Sequence, residues 1–342
     1  MKRILALLLV LVLALTAFVG CNKKDDDKDN GGSNNGNTDG TTDDTTDDED
    51  ETPSEKSYSL AIGVFTNENI ESCKITETVA VIVTDKDGKI VLCRLDCIDY
   101  ALDVDMETEE IVTTAPLSKV AQGDDYDPYG AMAAGDWYVQ SAFLESYVVG
   151  KTQSEIALLA GADGKAADAA LKAGCTIGIT DLLAAIDAAY DSEHKVSFKS
   201  TASAFTAGLS VTGSVGVEDD EVVNVSFTVD YAAAVLAGGK VVAGIIDTAE
   251  VTFVDVEVDE DGVCSAEAFD NEGTKREQGD DYDSYSPMPA GRWYQQVDAY
   301  AAAAKGLTKD DISTLAVSGV AGCTIKAVGY KAGLEAAVKA AR

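Results

Sequence analysis

The chain has 342 residues, with 60 acidic against 26 basic and a formal net charge of −34 at pH 7. A polyanion of this strength makes a poor partner for nucleic acid or for anionic lipid surfaces, which repel it. With one histidine (His194), no CxxC pair and no Walker or Rossmann glycine pattern, the sequence gives no support to a His/Cys zinc site, a hydrolase or a nucleotide enzyme.

Met1-Lys2-Arg3 is a short positive segment, and Ile4 to Val19 is almost purely apolar. That run is shorter than the about 20 residues of a comfortable spanning helix, and it has the size of a secretory h-region. It ends Thr16-Ala17-Phe18-Val19-Gly20-Cys21, with a small residue directly before the cysteine. This resembles the lipobox of bacterial lipoproteins, with Phe18 where that pattern usually has Leu. The resemblance implies a signal peptide over 1–20, diacylglyceryl and palmitoyl modification of Cys21, and a lipid-anchored chain on the extracytoplasmic face of the cell membrane. Two or three acyl chains hold a protein to a bilayer far better than one.

Residues 21–57 are mostly Asp, Asn, Gly, Ser and Thr, with a few Lys and Glu and no apolar periodicity. Such a segment buries too little surface to offset its ordering entropy and is expected to be a disordered, acidic linker. It would span roughly 30–36 Å as a flexible chain, and more under self-repulsion.

The remainder repeats itself. Gln122-Gly-Asp-Asp-Tyr-Asp-Pro-Tyr matches Gln278-Gly-Asp-Asp-Tyr-Asp-Ser-Tyr at an offset of 156, which also aligns Trp137-Tyr138 with Trp293-Tyr294 and Gln140 with Gln296. The offset is 151 upstream (Gly88-Lys-Ile-Val with Gly239-Lys-Val-Val) and 148 downstream (Ala173-Gly-Cys-Thr-Ile with Ala321-Gly-Cys-Thr-Ile). Two domains are expected, 58–191 and 195–342, joined by a short junction.

Each copy reads as a small-residue strand (Leu60–Phe65; Ala207–Val211), then two strands about a Gly turn. In the first copy these are Thr78–Val83, Asp85-Lys-Asp-Gly88 and Ile90–Leu95. A further strand pair is expected around 99–114 and 249–268. The Gln-Gly-Asp-Asp-Tyr loop then leads into a helix carrying Trp137. Thr152 and Glu155 form a capping box for a short helix. An extended Cys175–Ile179 enters a terminal helix, capped by Thr180 or Asp181, whose apolar face is Leu182, Leu183, Ile186 and Tyr190. The fold class is α+β: two tandem copies of a small antiparallel sheet packed with helices. Apart from Cys21 the cysteines are Cys73, Cys93, Cys97, Cys175, Cys264 and Cys323, most of them expected as small buried apolar residues. Cys93 and Cys97 share a strand face roughly 13 Å apart and cannot bridge.

Strand–Asp-Gly-Lys–strand, followed by a Gly-small-Thr-Ile element that opens a terminal helix, resembles the FMN-binding domain. That domain is found in sodium-pumping NADH:quinone reductase, the Rnf complex and exported flavoprotein lipoproteins. The resemblance implies FMN esterified through its phosphate to a threonine by a flavin transferase. The matching residues are Thr176 and Thr324, each within Ala-Gly-Cys-Thr. The family's Ser-Gly-Ala has become Ala-Gly-Cys, and its acidic residue six before the Thr is here Ala170 or Ser318, with Asp168 two residues too early. Free FMN should be repelled by a chain this acidic, although screening over about 8 Å leaves only nearby carboxylates to count and local geometry can still permit binding; covalent attachment is the form expected for any bound flavin.

The Gln-Gly-Asp-Asp-Tyr loops offer Asp124, Asp125 and Asp127, and Asp280, Asp281 and Asp283, as hard oxygen ligands of the kind Ca²⁺ takes. The preferred reading is a helix-entry loop whose carboxylates favour the following N-terminus, with no metal. Trp137 and Trp293 are expected in the core, with flavin stacking the lesser alternative. Two functions stand: a non-enzymatic envelope binding module, and a covalent-FMN electron carrier served by a flavin transferase or an envelope redox partner.

Overall fold

The computed structural model describes residues 54–342 apart from 109, 127–133, 220–221 and 284–287. The signal peptide 1–20, Cys21 and nearly all of the 21–57 linker lie outside the described residues, as does Asp127. No described helix is long and apolar enough to cross a membrane.

The fold is mixed α+β, with two four-stranded antiparallel sheets. The first holds β1 (Lys56–Asn69), β2 (Lys74–Asp85), β3 (Ile90–Ala101) and β6 (Val196–Ser200) in the order β3-β2-β1-β6. The second holds β7 (Thr206–Asp219), β8 (Val223–Ala237), β9 (Lys240–Val258) and β10 (Cys264–Thr274) in the order β10-β9-β8-β7. The hairpin between β2 and β3 forms where Asp85-Lys-Asp-Gly88 places it. The Asp85 carboxylate accepts from the N–H of Asp87 and of Lys89, both at 2.9 Å, and Gly88 takes φ 73°.

The strand pair expected around 99–114 shrinks to β4 (Val104–Asp105) and β5 (Glu110–Ile111). In the second half, the strand after the Gly turn and the one expected from 249 are a single run, β9, because no glycine or proline falls between Ile245 and Val258 to end it. Val196–Ser200, at the opening of the second expected domain, hydrogen-bonds to β1 and completes the first sheet. There Phe198 lies opposite Tyr58, with ring centroids 5.4 Å apart.

The helices in the first half are α1 (Lys119–Gln122), α2 (Trp137–Val148), α3 (Gln153–Ile156), α4 (Ala169–Lys172) and α5 (Thr180–Asp191). Those in the second half are α6 (Lys275–Gln278), α7 (Trp293–Ala302) and α8 (Val328–Ala340). Thr152 N donates to Glu155 Oε2 at 2.8 Å, closing the start of α3 as expected. The terminal helix is preceded by Ile179, not by a capping side chain.

Period-two alternation sorts every central strand onto two buried faces. Leu60, Ile62, Val79 and Val81 of the first sheet join Phe227, Val229, Ile245 and Val251 of the second in one core between the sheets. Ala61, Ala80, Ile82 and Leu95 point the other way, against Leu144, Leu183 and Ile186 of the first set of helices. Ala232, Ala234 and Ile246 do the same against Val297, Leu334 and Val338. The layers therefore run helix, sheet, sheet, helix. The six cysteines are free, five of them buried and Cys323 half-buried.

Candidate functional site

The residues that matched in sequence come together in the same way in each half. A buried aspartate in mid-strand, Asp96 on β3 or Asp247 on β9, starts the arrangement. Asp96 accepts from the Ser118 hydroxyl at 2.7 Å and from Val120 N at 3.0 Å, which fixes the entry of α1. Asp247 accepts from Arg276 N at 3.1 Å at the entry of α6. Each carboxyl is pushed up to about 6, chiefly by burial. An acid whose pKa is raised by folding holds its proton more tightly folded than unfolded. Its effect on stability is therefore felt between the ordinary value, 3.8, and about 6, and the fold weakens as pH rises through that window. Urea unfolding is expected to show the chain less stable at pH 7.5 than at pH 5, by about 1–2 kcal/mol for each carboxyl. Asp96→Asn should flatten the profile by one such increment, and an unaltered profile would refute the assignment.

The first residue of each short helix is a lysine, Lys119 or Lys275, held between two aromatic rings. Lys119 Nζ lies 5.0 Å from the Tyr126 ring centroid and 5.6 Å from that of Trp137. Lys275 Nζ lies 5.0 Å from Tyr282 and 5.7 Å from Trp293. These are cation–π distances. Lys119 also pairs with Asp99 at 3.0 Å, and Asp99 in turn accepts from Tyr126 and Thr76. Burial works against the Lys119 charge, but Cys97, in its thiolate form, and the Asp99 carboxylate beside it more than offset this and raise its pKa above the usual range.

Helix α2 or α7 then presents a fully buried glutamine to the candidate threonine. Gln140 Oε1 accepts from Thr176 N at 2.7 Å, from the Thr176 hydroxyl at 3.0 Å and from Ile177 N at 3.2 Å. Gln296 Oε1 accepts from Thr324 N at 2.8 Å and from its hydroxyl at 2.9 Å. The amide nitrogens are used as well, on Gly135 O at 2.7 Å and Gly291 O at 2.9 Å. Each glutamine therefore fixes the orientation of its threonine segment. Thr176 is half-buried and Thr324 exposed. Gly174, two residues before Thr176, lies against the face of Phe143 with no room for a Cβ.

Other expected site residues take structural places. Asp168 caps α4 through Ala170 N and Leu171 N and accepts from the Tyr147 hydroxyl, partners other than Thr176. Asp124 and Asp280 accept from Tyr138 and Tyr294, at 2.8 and 3.3 Å. Asp283 is buried and accepts from Trp293 N at 3.1 Å and from Arg292 at 2.7 Å, the helix-entry role read from sequence. Among the described residues no three His, Cys, Asp or Glu side chains gather as metal ligands.

In the first half these groups open onto a cleft of about 850 Å³ that contains Lys119, Tyr126, Trp137 and Thr176 together with Lys74, Lys165 and Asp99. Three lysines against one carboxylate make this a locally basic cleft on an acidic chain. Sequence reading missed all three lysines. For Lys119 a signal existed: Lys275 stands at the same offset of 156 before a matched Tyr and Trp, in a chain poor in cations. Lys74 and Lys165 have no such counterpart. Comparison of the chain with protein-family models, with curated proteins and with solved structures finds no match.

Proposed function

We propose that the chain is an extracytoplasmic lipoprotein, anchored to the membrane through acylated Cys21 and set off from it by the acidic segment 21–57. Its tandem α+β halves then act as a binding module with no catalytic residues of their own. One observation carries the binding reading: the cleft at Thr176, where lysines and aromatic faces meet. Such a lining suits a planar aromatic ligand bearing an anionic group. Net acidity need not oppose such a ligand here, because charges beyond about 8 Å are screened and the cleft lining holds three lysines against one carboxylate.

FMN, the cofactor implied by the resemblance, fits this donor set. Lys74, Lys119 and Lys165 would meet the phosphate, and Tyr126, with the little of Trp137 that its place in the helix–sheet core leaves exposed, would flank the ring. When bound, the flavin would supply one- and two-electron redox chemistry. The chain's residues hold it, exclude water from one side and fix the Thr176 segment through Gln140. Equilibrium dialysis of the secreted chain with FMN tests this. Binding is expected, and Lys119→Ala should weaken it about tenfold, one charged contact being worth about 1.4 kcal/mol. Failure to retain FMN at millimolar concentration would sink the proposal.

The second reading, a covalent FMN carrier, is favoured by the equivalent placement of the two threonine hydroxyls on their glutamines. Export together with a flavin transferase would then give yellow protein with added FMN mass, lost in Thr176→Val with Thr324→Val. Colourless protein of unmodified mass would remove this reading.

A further inference from the structure

The two halves share the lysine–aromatic–glutamine–threonine arrangement, yet their surroundings differ in three independent ways. The first is charge. The cleft beside Lys275, of about 630 Å³, is lined by Glu250, Asp270, Glu272, Glu277 and Asp281 against that single lysine. The first-half cleft has the opposite balance.

The second difference is access. In the second half Tyr330, on the first turn of α8, lies against Trp293. Trp293 Nε1 donates to the Tyr330 hydroxyl at 3.2 Å, and the rings meet edge to face with centroids 6.2 Å apart. The cleft beside Lys275 is lined by neither Trp293 nor Thr324. At the 148 offset the residue matching Tyr330 is Leu182, which is buried in the first helix–sheet core and does not line the cleft at Trp137. The third difference is a segment. Between the matched Ile156/Ile312 and Ala173/Ala321 the second copy is eight residues shorter, the change in offset from 156 to 148. The first copy carries Lys165 in that stretch, joined by a bridge to Gly178 beside Thr176.

We infer that the halves are not equivalent: the first holds the single site for an aromatic anion, while in the second Tyr330 occupies the aromatic wall and carboxylates repel the anion. This rests on the binding proposed above and adds which half performs it. The second half then serves as the packing partner that covers the inner face of the first sheet.

The test is a stoichiometric titration of the full mature chain with FMN as probe. One equivalent per chain is expected. The exposed pair Lys74→Gln with Lys165→Gln, which no fold contact requires, should weaken uptake at least tenfold. Leu182→Tyr, which transplants the second-half wall into the first, should do the same, whereas Lys275→Gln should leave affinity and stoichiometry unchanged. Two equivalents in the wild-type chain would overturn the inference while leaving the binding proposal standing. So would loss of uptake in Lys275→Gln with none in the Lys74/Lys165 pair. No uptake by the wild-type chain would overturn the binding proposal itself, and the inference with it.

Discussion

Glu145→Ala is expected to destabilise the fold by about 3–5 kcal/mol, the cost of leaving a buried charge without its partner. Glu145 is 3 % exposed on α2, a position that helix periodicity alone would give to an apolar residue. Its carboxylate accepts from Leu95 N at 3.0 Å, from Arg94 at 3.2 Å and from Arg342 at 3.1 Å. Burial raises its pKa, and the two guanidinium groups oppose that rise. Arg94 is itself largely enclosed. It donates to Ala207 O of the second sheet at 2.9 Å and to the Arg342 carbonyl. Removing the carboxylate therefore strands Arg94 at the seam between the halves and frees Arg342. Glu145→Gln, which keeps an acceptor for Leu95 N, should cost less. Urea unfolding with an unchanged m value would measure both. A loss below about 1 kcal/mol for Glu145→Ala would show that solvent compensates the arginines and that the pair is not a lock between halves.

How much of this could be read from the chain depends on whether a residue's role is local. The β2–β3 hairpin was legible because Asp85 and Gly88 build their turn without outside help. The duplication was legible because its residues recur at fixed offsets, and so were the threonines at the ends of matching segments. The face-to-face packing of the sheets was not recognised, although Val79 to Val83 is buried without a break, the pattern of a strand covered on both sides. β6 was missed because its five residues pair with a strand well over a hundred positions earlier, and nothing local names that partner. The lysines of the cleft were missed for the same reason. A lysine on a four-residue helix looks solvated until Tyr126 and Trp137 are brought to it. The glutamines were noticed as matches, but their function as acceptors for the threonine segment exists only in three dimensions.

Gly63→Val is expected to cost about 3 kcal/mol or more, and it reaches the site as well as the fold. Gly63 lies on the helix-facing side of β1, opposite Ala80. A Cβ built there collides with the main chain of Ala185, Ala188 and Ala189 on α5. Gly208 on β7 has the same relation to Ala337 and Ala341 at the end of α8. Overpacking usually costs 1–3 kcal/mol because side chains rotate aside. Here the obstacle is helix backbone, so the whole of α5 must lift off the sheet. α5 begins at Thr180, two residues after Gly178 on the cleft wall, so its displacement moves the Thr176 segment away from Gln140. The variant should consequently lose FMN uptake under conditions where its circular dichroism is still native. Gly216→Ala is the control. Gly216 lies on β7 with ordinary φ and open space around its Cα, so the change should fall within about 0.5 kcal/mol of wild type. Equal losses in the two variants would mean that a glycine in these strands matters for its backbone alone, and that the close seating of α5 on β1 does not hold the cleft in shape.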